Sequence, residues 1–194
     1  HPKFLNFMND ALDLYKNDGN VASIHGYVFP IKELPETFFV RGADCWGWAT
    51  WARAWSVFEP NGVKLLDEIK LKKVEREINY NNSMNYIGML KNQIAGKNDS
   101  WAIRWHISAF LKNMLTLYPG KSFVTNIGID SSGQHCATSD VFDPILCDNY
   151  YGLRKTQIVE NKNAVKLFED YFRKTNKAKP IKAINYFINL FWKR

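Results

Sequence analysis

The chain has 194 residues, 46% hydrophobic and 23% charged, with a formal net charge of +7. That is ordinary globular composition at one domain's length, enough to bury a core without staples, and it excludes a low-complexity chain. No apolar run reaches the ~18 residues of a membrane-spanning helix, and three cysteines without a CxxC pair argue for free thiols and against a zinc or disulfide framework.

In chain order, Phe4, Leu5, Met8, Leu12 and Tyr15 recur at helical spacing, which predicts an amphipathic helix over residues 2–16 beginning at Pro2. Residues 21–29 (VASIHGYVF) and 36–42 (ETFFVRG) read as strands, rich in aromatic and β-branched side chains. Helical periodicity is predicted over Trp46–Phe58 and again over Val63–Lys72. NYNNS breaks it, and Ser83 is placed to cap a helix over Met84–Ile94 that stops at Gly96. Asp99 or Ser100 can cap the next helix, SWAIRWHISAFLKN. Short strands are predicted at residues 115–119 and 121–129, then a polar glycine-bearing loop, DSSGQHCATSD, over 130–140. The chain reads as loop up to Gly152 and as helix around Ala164–Arg173, followed by a basic, aromatic tail of helical period. The pattern is α+β or α/β, helix-rich with few strands.

Four of the seven tryptophans fall between Asp44 and Trp55, in DCWGWATWARAW. Gly47 lets a strand-to-helix junction turn while Trp46 and Trp48 project around it. An indole face matches the apolar C–H face of a sugar ring, and its N–H can donate to a hydroxyl. Trp51 and Trp55, spaced i, i+4, read as core, and His106 as structural. The basic balance favours anionic partners. Nucleic acid is disfavoured, because the tryptophans keep helical spacing rather than standing on strands among interleaved lysines and arginines.

RGADCWGWATWARAW, then GKNDSWAIRWHISAF about fifty residues later, then LTLYPGKSFVTNIGIDSSGQHC, together resemble the C-terminal half of a bacterial family 2-type inverting glycosyltransferase of the GT-A fold. The likeness covers nearly residues 1–150, with a fainter likeness to the N-acetylglucosaminyltransferase I family. It implies an acceptor-side part over residues 1–152 and a basic helical extension over 153–194. It also implies transfer of a sugar, with inversion, from a nucleotide-diphosphate donor to a glycan or lipid-linked acceptor of bacterial surface polysaccharide.

Inverting transfer needs one general base for the attacking hydroxyl. The resemblance places it at Asp99, where Asn98-Asp99 stands for the family's usual acidic pair and leaves the assignment open by one position. Substrate-binding residues implied alongside are Asp44, Trp46, Gly47, Trp48, Trp101 and Arg104, with Asp130, Ser132, Gly133 and His135 on a loop suited to wrap phosphate. A divalent cation, magnesium or manganese, is expected on the donor diphosphate, but no Asp-x-Asp occurs in the 194 residues and no metal ligand is assigned among them.

The chain opens on His-Pro without Met, as a segment of something longer would. A cytoplasmic location is expected, at the inner face of a membrane if the tail lies on lipid. There Ile181, Ile184, Phe187, Ile188 and Phe191 form an apolar stripe flanked by lysines, which suits either packing on its own domain or an interfacial helix. The competing reading is a non-catalytic carbohydrate-binding or scaffolding module that kept the aromatic platform.

Overall fold

The computed structural model describes residues 1–125 and 143–178. Four strands form one mixed sheet in the order β2-β4-β1-β3. They are β1 (Val21–His25), β2 (Thr37–Arg41), β3 (Trp48–Thr50) and β4 (Leu115–Pro119). β1 and β4 run parallel, with Ile24 opposite Leu117. β2 lies antiparallel along β4 from Thr37–Pro119 to Arg41–Leu115. β3 lies antiparallel along β1, with His25 opposite Trp48. The architecture is mixed α/β, as the element pattern predicts.

Side-chain alternation sorts the sheet into two covered faces. On one, Ile24, Phe39, Leu115 and Leu117 pack against Phe7, Met8 and Ala11 of α1 (Phe4–Leu14). On the other, Phe38, Val40 and Tyr118 meet Ala164, Phe168 and Phe172 of α7 (Lys162–Ala178). Each such fully buried Leu, Ile or Phe contributes about 1.5–3 kcal/mol of transfer free energy. A separate helical layer joins α3 (Gly62–Lys72), α5 (Tyr86–Ile94) and α6 (Trp101–Leu111) through Leu65, Ile69, Leu90, Ile103 and Ile107.

The helix predicted over Trp46–Phe58 is not one element. Trp48–Thr50 is strand, Trp51 is extended (φ −115°, ψ 151°), and only Ala52–Trp55 forms the single-turn α2. β1 has a free edge at that point, and pairing Ser23–His25 with Trp48–Thr50 satisfies backbone groups that helical periodicity leaves out of account. The NYNNS break is real: Tyr80, Asn81 and Asn82 all take positive φ, just past the short α4 (Glu75–Ile78). Asn85, not Ser83, caps α5, its Oδ1 accepting from the Gly88 N–H at 3.0 Å, while the Ser83 hydroxyl donates to Tyr80 O. The first strand stops at His25 rather than Phe29, and α7 is longer than the predicted Ala164–Arg173. Of the piece at 121–129, Ser122 makes a bridge to Leu146, and residues 126–129 lie outside the described residues, as does the tail after Ala178.

Candidate functional site

Ligands of open α/β sheets gather at the carboxyl ends of the parallel strands. Here those ends carry His25 on β1 and Tyr118 on β4. After β2 the chain returns across the same sheet face to reach Trp48, and the return is pinned residue by residue. The Gly42 N–H donates to Met114 O at 2.9 Å, and its carbonyl accepts from Thr116 Oγ1 at 2.9 Å. Gly42 has φ +102°, and a Cβ there would come within 2.6 Å of His106 Cε1, so only glycine fits between sheet and α6.

Asp44 is the carboxylate this path delivers. Its Oδ2 accepts from the Tyr118 hydroxyl at 3.0 Å and its Oδ1 from the Cys45 N–H at 3.2 Å. Two residues on, the Trp46 N–H donates to His25 Nε2 at 2.8 Å, so that nitrogen is an acceptor and the imidazole is neutral. His106 donates from Nδ1 to Ala43 O at 2.9 Å and stacks on Tyr86 at 4.7 Å. Burial holds both imidazoles below their ordinary pKa, although the Asp44 charge pulls the other way. Burial first and Asp44 second push the phenols of Tyr80, Tyr86 and Tyr118 up, and the Cys45 thiol likewise. Cys45 is therefore a thiol, not a thiolate nucleophile. The site is one carboxylate among neutral hydrogen-bonding rings, a set suited to holding hydroxyl groups.

The tryptophans divide between two places. Trp46 meets Tyr27 at 4.7 Å between ring centroids. Trp48 instead joins Trp101 at 5.7 Å, Trp105 at 6.3 Å and Trp55 at 6.1 Å. Trp105 is fully buried, whereas Trp55 is 38% exposed and stacks on Phe58. Trp51 is half-buried, its Nε1 donating to Leu12 O with Arg53 over its ring. Gly47 takes φ +52°, and a Cβ there would strike Val124, so the turn expected at this glycine is present.

No family model, curated protein or solved structure matches the chain.

The Trp48–Trp101 contact brings the start of β3 to the start of α6, where Asp99 stands. Ser100 is the cap of α6, its Oγ accepting from the Ile103 N–H at 3.2 Å, while buried Asn98 accepts from the Ser100 N–H at 3.0 Å. Asp99, between them, is exposed and makes no hydrogen bond or ion pair with the described residues. Arg104 braces the same helix, donating from Nε to Ser100 O at 3.2 Å and from Nη1 to Pro60 O at 2.8 Å. Asp130, Ser132, Gly133 and His135 lie outside the described residues. Among the described residues no group of three or more His, Cys, Asp or Glu side chains is placed to hold a metal ion. Sequence reasoning missed His25 and Tyr118. The available signal was a histidine inside the wholly buried run VASIH and a tyrosine in LTLYP.

Proposed function

We propose that this chain forms the acceptor-side portion of a GT-A-type inverting glycosyltransferase, which moves a sugar from a nucleotide-diphosphate donor to a glycan or lipid-linked acceptor. The observation that carries the reading is the pairing of two carboxylate sites through tryptophan. Asp44 and Trp46 stand at the ends of the parallel strands, and Trp48 packs on Trp101 beside the exposed Asp99.

The two carboxylates suit different roles. Asp99 is exposed and released from capping by Ser100, so it is free to receive the proton of the attacking hydroxyl as general base. The attack then reaches the anomeric carbon from the side opposite the departing nucleoside diphosphate. Asp44 is held by Tyr118 and the Cys45 N–H, one bond to each oxygen, which leaves lone pairs on both for substrate hydroxyls. Trp46 and Trp101 are the indoles assigned to sugar stacking. Arg104 already spends two donors on carbonyls, so its part is to brace the Asp99 turn, with its remaining N–H groups left for phosphate. The resemblance implies magnesium or manganese on the donor, yet the described residues do not form a ligand cluster, and no step assigned to them runs through a metal.

No helix among the described residues is long and apolar enough to cross a membrane. Membrane contact is proposed only for the basic, apolar tail over residues 178–194, as a peripheral attachment near a lipid-linked acceptor. The test of the function is titration of the full-length protein with a panel of nucleotide sugars, following release of nucleoside diphosphate. Turnover of at least one donor supports the reading. Glycan binding with no donor bound or consumed replaces it with a carbohydrate-binding module.

A further inference from the structure

A cleft of about 470 Å³ opens where β4 ends and β2 begins, on the side of the sheet that α1 covers. Its size falls in the range of about 300–1,000 Å³ typical of small-molecule sites. The floor is apolar: Phe7 and Phe123 are buried and stacked at 4.6 Å, 13° from parallel, with Pro119 beside them. The rim is polar and balanced in charge. Lys121 pairs with Asp148, while Lys32 and Glu36 are exposed and form no ion pair with the described residues. Tyr151, 93% exposed, stands at the mouth. One wall depends on Gly120, where a Cβ would lie 2.1 Å from Pro35 O, so the chain closes tightly there.

Two cations against two carboxylates give no net field to concentrate a phosphate or a metal ion. An apolar floor with the exposed Tyr151 ring at the mouth and polar side chains around the rim suits a neutral polyhydroxylated ring instead, with its C–H face on Tyr151 and its hydroxyls at the rim. The wall also joins this cleft to the candidate site. Along 121–124 the side chains alternate: Lys121 and Phe123 line the cleft, Ser122 Oγ accepts from the Val28 N–H at 2.7 Å, and Val124 lies against Gly47 of the tryptophan turn. From this geometry we infer that the cleft is a second saccharide subsite, which holds acceptor residues beyond the one that receives the new sugar. The inference rests on the glycosyltransferase reading for the word acceptor, but its binding claim stands apart from catalysis.

The test therefore omits nucleotide. The full-length protein is applied to an array of neutral oligosaccharides, and the strongest binder is titrated against wild type, Tyr151→Ala and Glu36→Gln. Tyr151 is too exposed for its truncation to unfold the chain. Loss of its ring should weaken binding about tenfold, the scale of one aromatic stacking contact, and Glu36→Gln should weaken it as well. No oligosaccharide bound by wild type, or affinity unmoved by both Tyr151→Ala and Glu36→Gln, overturns the subsite. Donor turnover without such binding rejects the subsite alone. Binding that depends on Tyr151, in a protein that consumes no donor, rejects the transferase and keeps the subsite.

Discussion

Ser100 and Asp99 are neighbours with separable duties. The Ser100 hydroxyl holds the first turn of α6, and the Asp99 side chain holds nothing among the described residues. Ser100→Ala is therefore expected to cost about 0.5–2 kcal/mol, the usual value of a lost N-cap, while Asp99→Ala leaves stability nearly unchanged. Urea unfolding of the two variants checks this. A comparable contrast separates the indoles. Trp105→Ala empties a fully buried position and should cost about 3–5 kcal/mol. Trp46 is only half-buried, so Trp46→Ala should unfold less readily and lose saccharide affinity instead; thermal melting with and without glycan tells these apart.

At the scale of elements, Arg53 is what fastens the tryptophan segment to α1. Its guanidinium donates to Tyr15 O at 2.9 Å, Lys16 O at 3.0 Å and Val21 O at 2.9 Å, and lies 4.3 Å over the Trp51 ring. These are carbonyls at the end of α1 and the start of β1, where a forked donor reaches several at once. Arg53→Met should cost about 2–3 kcal/mol, and Arg53→Lys should recover little, because an ammonium cannot span three acceptors in that plane. Calorimetric melting of both variants measures it. This junction also marks how far the sequence could be read. α1, α3 and α7 are legible from apolar spacing, since each buries one stripe against a neighbour, whereas α6 is buried on nearly every side and is legible from its apolar run behind the Ser100 cap. β3 is not, because Trp48–Thr50 is strand only through the edge that β1 offers from elsewhere in the chain, with Ser23 opposite Thr50 and His25 opposite Trp48. The site was legible in the same uneven way. Trp46 and Gly47 are legible through tryptophan clustering and Asp44 through the family resemblance, whereas His25 and Tyr118 join the site only because β1 and β4 lie side by side.

For the whole molecule, two buried neutral histidines set an acid limit. An unfolded histidine takes up a proton near its model value of 6.5, whereas folded His25 and His106 resist protonation because burial disfavours the cation. Below pH 6.5 the unfolded chain binds more protons than the native one, so stability falls as pH falls; above that value both states are neutral and the histidines contribute no slope. The loss approaches about 1.4 kcal/mol per pH unit for each histidine until the folded group itself protonates. Urea midpoints at neutral and mildly acidic pH should show this decline, and His106→Gln should reduce its slope. The same whole protein carries the central claim, that an exposed carboxylate beside the tryptophan cluster serves as base for sugar transfer. The most direct measurement is the donor turnover of full-length Asp99→Asn against wild type. The account predicts a fall of about 10²–10⁴-fold with an unchanged melting temperature. Near-wild-type turnover by Asp99→Asn would contradict it.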